Sequence, residues 1–160
     1  MIGAARLIGA AALLALAAGG CAPTQANSAN GETGREAATV PLTIRTARGP
    51  IVYKVEVART PQEQAKGLMY RTSLPGRGGM IFPMTPPRFA SFWMKNTYIP
   101  LDMIFIRADG TIARIAANTV PENLTPVDSG EPVAAVLEIV GGGAAANGIA
   151  EGDRVEWAGS

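Results

Sequence analysis

The strongest constraint on the fold is a series of short apolar runs, each bounded by glycine or proline. The first two runs, residues 42–48 and 51–59, are rich in β-branched residues and flank the pair Gly49-Pro50. β-branched side chains pack well on a pleated surface, and Gly-Pro pairs interrupt regular structure. The pattern therefore predicts short strands joined by turns. Later runs of the same kind are residues 80–84, 89–95, 101–106, 111–116, 133–140 and 155–157.

One α-helix is predicted, from residue 61 to about residue 71. Thr60 can accept a hydrogen bond from a free backbone amide at the helix start, Pro61 fits the first helical position, and Glu63 can reach back to the cap. The pair Pro75-Gly76 then excludes any longer continuation.

The Asp109-Gly110 pair lies between two apolar runs and predicts a β-hairpin, because a tight hairpin turn favours residues that tolerate positive φ. Short strands joined by turns, with a single helix, are typical of a compact antiparallel β-sandwich or barrel of the jelly-roll kind. This mainly-β fold is the prediction, and an α+β arrangement is the alternative.

The first 20 residues have the features of an export signal. Arg6 precedes an apolar stretch, residues 7–18, that would span only ~18 Å as a helix, whereas a bilayer core is ~30 Å thick. The only cysteine, Cys21, follows this stretch and resembles the acylated cysteine of a bacterial lipobox. We expect a lipoprotein-type signal peptide over residues 1–20 and a periplasmic domain anchored to the membrane through lipidated Cys21. Ala22 favours the outer membrane, and a cleaved, soluble periplasmic protein is the alternative.

Residues 21–39 contain almost no large apolar side chain, which predicts a flexible tether. Residues 40–158 are long enough to form one core and are expected to be a single mainly-β domain.

Composition excludes several kinds of chemistry. The chain has no histidine and one cysteine, which removes the Ser-His-Asp triad and the usual metal clusters. Its 14 basic and 13 acidic residues give no overall attraction for nucleic acid, so no nucleic-acid partner is expected. Gly141, Gly143 and Ala146 imitate a dinucleotide fingerprint, but too few residues follow for the second parallel strand that this fold requires. We expect no metal, no cofactor and no catalytic residue.

Residues 89–97 place aromatic and cationic side chains at strand spacing. If residues 97–100 connect two antiparallel strands, Lys95 faces Asp102, while Phe92 and Met94 share a face with Met103 and Phe105. The other register would place the charge of Asp102 among apolar side chains, which is costly. The residues of the polar face, Ser91, Trp93, Lys95 and Asp102, are either a ligand-binding platform or an ion pair that orients the hairpin.

Charge is divided along the chain. Residues 59–107 hold seven cations and two carboxylates, whereas residues 108–160 hold two cations and eight carboxylates. The two segments either neutralise each other when packed or leave an anion-binding patch around Arg77, Arg88 and Lys95, because arginine can hold a carboxylate or phosphate at two points.

Several motifs follow one another in order between residues 43 and 157. They are TPxExAxGLM at 60–69, GMxF at 79–82, FWMKNTxIPLD at 92–102, Asp109-Gly110, AVLE at 135–138, and Gly148-Ile149 with Gly152-Asp153. In these motifs the chain resembles the bacterial domain-of-unknown-function 192 family, and the glycine run at residues 141–143 departs from the family pattern. The resemblance implies a compact mainly-β domain with one helix, often with an export signal, and it implies no settled activity.

The leading hypothesis is a non-catalytic cell-envelope domain that binds a small anion, a glycan or an envelope protein through the face around Trp93 and Lys95. One rival is a hydrolase-like enzyme based on carboxylates or lysine, with Asp102, Glu138 and Lys95 as acid-base candidates. Two of these would then have to meet in one pocket with perturbed pKa values. The other rival is a purely structural partner domain with a flat apolar patch.

Overall fold

The computed structural model of the chain describes residues 38–159. The expected signal peptide, Cys21 and nearly all of the expected tether lie outside the described residues. The strands are β1 (Thr39–Thr46), β2 (Gly49–Val57), β3 (Gly78–Phe92), β4 (Leu101–Ile106), β5 (Ile112–Thr119), β6 (Val127–Val140) and β7 (Arg154–Trp157), and the helices are α1 (Pro61–Lys66) and α2 (Gly143–Asn147). Neither of these helices has the length and hydropathy of a membrane span.

The strands form one seven-stranded sheet in the order β5-β4-β6-β3-β2-β1-β7. Its two outer strands approach each other at one end, where Thr111 and Arg154 form an antiparallel bridge. The Val155 amide also donates to the Gly110 carbonyl at 2.8 Å. The sheet therefore curls into a barrel-like shape, and the predicted mainly-β fold is confirmed.

One face of the sheet is buried along all seven strands, and the other face is buried over the central strands. Side chains from all seven strands form an inner core, which includes Leu42, Tyr53, Ile81, Ile104, Ile112, Leu137 and Val155. A second cluster, the outer core, covers the other face of β3, β4 and β6. It includes Met80, Phe82, Met94, Met103, Phe105 and Val136. Because side chains alternate along a strand, β4 contributes to both cores and all six of its residues are buried.

Helix α1 begins as predicted but ends at Lys66, about a turn earlier than expected. The Glu63 amide donates to the Thr60 hydroxyl at 3.1 Å, and a Glu63 carboxylate oxygen accepts from the Thr60 amide at 2.8 Å. Gly67 ends the helix with a φ of 48°. The helix joins β2 to β3, which pair in parallel. Parallel neighbours need a crossover connection, which α1 provides, and the other strand pairs of the described sheet are antiparallel.

Two further local predictions have different outcomes. The Asp109-Gly110 hairpin is confirmed: β4 and β5 pair antiparallel, Gly110 has a φ of 87°, and Asp109 accepts from the Thr111 amide at 2.9 Å. The runs at 80–84 and 89–95, in contrast, are not separate strands. Residues 80–84 and 89–92 belong to the long strand β3, whose pairing with β6 is irregular between Pro83 and Arg88, and residues 93–95 follow the end of that strand.

Candidate functional site

The predicted pairing of residues 89–95 with 101–106 is wrong. β4 pairs with β5 and with β6, and Asp102 lies opposite Ile139. The chain leaves the sheet after Phe92, and the Met94 amide donates to the Asn123 carbonyl at 2.9 Å. Lys95 therefore does not lie beside Asp102, and the two do not form the expected ion pair. The second half of the prediction is confirmed, because Met94, Met103 and Phe105 lie in the outer core with Phe92 packed against them.

Asp102 is completely buried and occupies a structural position at the end of the inner core. One carboxylate oxygen accepts from the amides of Asn118 at 2.8 Å and Gly142 at 2.9 Å, and the other accepts from the Ala144 amide at 2.8 Å. Asp102 thus joins the end of β5 to the turn that starts α2. It is not part of a ligand-binding surface, contrary to the sequence-based prediction.

A cavity of about 440 Å³ opens on the outer face of the sheet, and we call it the Glu138 cavity. Strand β3 and the chain after it form one side, and α1 with the residues that follow it forms the other. Its apolar and aromatic walls come from Met69, Phe82, Met84, Phe89, Ala90, Phe92 and Trp93, and its polar lining comes from Gln64, Lys66, Arg88, Ser91, Thr97 and Glu138.

Glu138 is the most unusual group of this cavity. Its side chain points to the outer core face of β6, between Met80 of β3 and Met103 of β4, and the residue is 4% exposed. Within residues 38–159 its carboxyl group makes no hydrogen bond and no ion pair. In this part of the chain, every side-chain oxygen that is fully shielded from solvent has a hydrogen-bond partner. Because the Glu138 carboxyl group has no partner, it is not fully shielded, and it opens onto the cavity. Burial raises the pKa of Glu138 to about 8.

Gly79 allows β3 to lie tightly against the backbone of Glu138. A Cβ atom at residue 79 would meet the Glu138 carbonyl oxygen far inside van der Waals contact. The close approach fixes the strand that carries the carboxyl group, so Glu138 stands on a rigid part of the sheet.

The structure brings together four of the six predicted ligand-binding residues. Ser91, Trp93 and Arg88 line the Glu138 cavity. Trp93 is 49% exposed, and the Lys95 ammonium lies 5.1 Å from the centre of its ring. Arg77 does not join them, because it lies on the loop before β3 and lines no described part of the cavity.

The acid-base candidates of the enzyme hypothesis do not converge. Asp102 and Glu138 point to opposite faces of the sheet, and Lys95 lies over the Trp93 ring and is not part of the cavity lining. In the described part of the chain, no three acidic or sulfur side chains cluster as a metal ion would require. The sequence analysis identified Glu138 only as an acid-base candidate. It missed Gln64, Met69 and Met84, because their positions in a helix or in apolar runs are typical of residues that serve only in packing.

The fold and the cavity together define a small barrel-like β domain with a solvent-open cavity on the outer face of its sheet. The sequence profile of the domain-of-unknown-function 192 family, described as an uncharacterized ACR, matches residues 43–157. The chain belongs to this family.

Solved structures with the same fold are similar to this chain. One is a protein of unknown function from Novosphingobium aromaticivorans DSM 12444, with 53% identity and a TM-score of 0.73 over 74% of this chain and 85% of that one. Another, from Sinorhizobium meliloti 1021, is described as a candidate transcription regulator. It has 43% identity and a TM-score of 0.75 over 78% of this chain and 97% of that one. Among curated proteins, none matches the chain.

Proposed function

We propose that this domain is a non-catalytic binding module for a small organic ligand with a ring-shaped or apolar body, held in the Glu138 cavity. The observation that carries the proposal is the buried Glu138 carboxyl group, which has no partner in residues 38–159 and opens onto the cavity. Buried polar groups in folded proteins are nearly always hydrogen-bonded, so a bound ligand would supply the missing partner.

The cavity suits a molecule of moderate size and mixed polarity. Its volume of about 440 Å³ falls in the range of small-molecule sites, which are mostly apolar with a few placed polar groups. Because the pKa of Glu138 is about 8, its carboxyl group is mainly neutral at pH 7. A neutral carboxyl group both donates and accepts a hydrogen bond, which matches a hydroxyl, carbonyl or amide group on a ligand.

Charge around the cavity favours an acidic ligand over a basic one. Lys66 and Arg88 line it, and Lys95 stands over Trp93. Among the described residues of the lining, Glu138 is the only acidic one, and its raised pKa keeps it mainly neutral at pH 7. The exposed part of the Trp93 ring can stack on a sugar or another planar group, as aromatic side chains do in many binding sites.

We also propose that the domain works outside the cytoplasm, tethered to a membrane through an acylated Cys21. This proposal rests on the basic residue, the short apolar stretch and the cysteine at the start of the chain. A tethered binding module would hold its ligand close to the membrane surface.

A thermal-shift screen of the full chain tests the binding proposal, because a ligand that binds the folded state raises Tm. The panel contains sugars, sugar phosphates, aromatic carboxylates and dicarboxylates. Each compound that raises Tm is tested again with Trp93→Ala, which removes the aromatic ring, and with Glu138→Leu, which removes the hydrogen-bonding carboxyl group. Both variants should reduce the shift. Val52→Ala is the control, since Val52 on β2 is 49% exposed, like Trp93, but lines no part of the cavity. A Tm shift that both cavity variants keep in full would contradict the proposal.

A further inference from the structure

A second cavity of about 330 Å³ adjoins the Glu138 cavity, and we call it the Arg59 cavity. Gln64 and Arg88 line both cavities, so the two lie on either side of these residues. Arg59 and Thr85 line the second cavity alone. Its lining exposes more polar than apolar surface, whereas the Glu138 cavity is the more apolar of the two.

Gln64, which lines both cavities, is held in place by two hydrogen bonds. The Gln64 side-chain amide donates to the Ala58 carbonyl at 3.2 Å and to the Pro83 carbonyl at 3.0 Å. These two bonds tie α1 to the ends of β2 and to β3. Gln64 therefore fixes the edge that the two cavities share, and Arg88 is a cation that lines both.

The Arg59 cavity has an excess of positive charge. Its lining includes Arg59 and Arg88 and, among the residues that the structure describes, no acidic residue. Neither guanidinium has an ion pair or hydrogen bond within residues 38–159. Glu63, outside the lining, interacts electrostatically with Arg59 and offsets part of its charge, and one Glu63 oxygen accepts from the amides of Arg59 and Thr60. Two free guanidinium groups beside a hydroxyl are a typical setting for a carboxylate or phosphate.

We propose that one ligand spans both cavities, and that it is an amphipathic anion. Its ring or apolar end occupies the Glu138 cavity, and its acidic group lies in the Arg59 cavity between Arg59 and Arg88. This inference rests on the proposed binding function and adds the ligand's chemical class and the location of its charge. It also assigns Arg59, which no sequence pattern pointed to, a role in recognising that charge.

Two matched probes test the location of the charge. 4-Phenylbutyrate has an aromatic ring, a short chain and a carboxylate, and 4-phenylbutan-1-ol differs in lacking the charge. Their affinities for the full chain are measured by calorimetry at low and at raised salt. We expect tighter binding of the acid, with a preference that falls as salt screens the arginines. Arg59→Gln should weaken the acid roughly tenfold and leave the alcohol within about twofold, as expected for loss of one charge-assisted contact.

Arg77→Gln is the matched control, because Arg77 is an exposed arginine outside the lining of both cavities. It should change neither affinity. If Arg59→Gln leaves the preference for the acid intact while Trp93→Ala weakens both probes, this inference is wrong and the binding function stands. If neither probe binds, or if Trp93→Ala and Glu138→Leu leave both affinities unchanged, the inference fails together with the proposed function.

Discussion

Tyr70 and Asn96 hold each other in left-handed backbone conformations beside the Glu138 cavity. Their φ angles are 66° and 53°. The Tyr70 amide donates to the Asn96 carbonyl at 2.8 Å, and the Asn96 side-chain amide donates to the Tyr70 hydroxyl at 2.9 Å. Their chain neighbours Met69 and Thr97 both line the cavity. The pair therefore joins the two segments that form opposite sides of the cavity mouth, at the expense of local backbone strain.

Asn96→Ala should destabilise the protein by about 1–2 kcal/mol, because alanine tolerates this backbone conformation poorly and cannot donate to Tyr70. Asn96→Gly relieves the backbone strain but still lacks the side-chain hydrogen bond, so it should lose less. Urea unfolding monitored by tryptophan fluorescence measures both variants. Equal losses for alanine and glycine would show that the left-handed conformation contributes nothing measurable.

Asp102→Ala should be among the most damaging single substitutions. It leaves three backbone amides, those of Asn118, Gly142 and Ala144, without their acceptor in a buried site. An unsatisfied buried donor costs roughly 1–3 kcal/mol, so a loss of about 3 kcal/mol or more is expected.

Asp109→Ala is the matched control for this loss. Asp109 also accepts from a backbone amide, that of Thr111, but it is exposed, so water can replace it. Its loss should therefore be much smaller than that of Asp102→Ala. Comparable denaturation midpoints for the two variants would contradict the structural role assigned to Asp102.

Features set by neighbouring residues could be predicted from the sequence. The cap made by Thr60 and Glu63, the Asp109-Gly110 hairpin and strand β4 depend on short stretches of chain, and all three occur as expected. Turn and cap chemistry acts over three or four residues, so a single sequence contains the information. The end of α1 was less predictable, because Gly67 ends it early where its backbone lies against the ring of Phe82.

Features that depend on distant partners could not be predicted in the same way. The sequence argument assumed that β4 pairs with the run just before it, whereas its partners are β5 and the distant strand β6. Because of this error, Asp102 was predicted to form an ion pair with Lys95, whereas in the structure it is a buried residue that joins two segments of the chain. The Glu138 cavity was equally hidden, since its lining comes from α1, β3 and β6, and no local pattern shows that these elements meet.

The membrane tether gives a prediction about Cys21. If this residue is acylated, Cys21→Ser should move the protein from the membrane fraction to the soluble fraction and lower its mass by the lipid. Acyl chains anchor proteins because each buried methylene contributes about 0.8 kcal/mol. Intact mass spectrometry and fractionation of cells that express the full chain measure the result. Unchanged mass and fractionation would contradict lipidation.

Glu138 makes the stability of the domain depend on pH. The pKa of Glu138 is about 8 in the folded protein and near the ordinary value of 4.5 in the unfolded chain. Between these values the folded state binds more protons than the unfolded state, so the free energy of unfolding falls as pH rises. The stability linked to the neutral carboxyl group is fully present below pH 4.5 and is lost by about pH 8. One pKa unit corresponds to about 1.4 kcal/mol, so the loss amounts to a few kcal/mol.

Glu138→Gln removes this dependence, because glutamine keeps the shape of the neutral acid and does not ionise. The variant should match the parent near pH 4.5 and become more stable than it by a few kcal/mol near pH 8. Urea unfolding at several pH values between 4.5 and 8.5 measures the difference. Glu122→Gln is the control, since Glu122 is exposed and has no side-chain partner in the described part of the chain. A difference between Glu138→Gln and the parent that stays constant with pH would mean that Glu138 is ionised in the folded protein. The neutral carboxyl group proposed to bind ligand would then not exist.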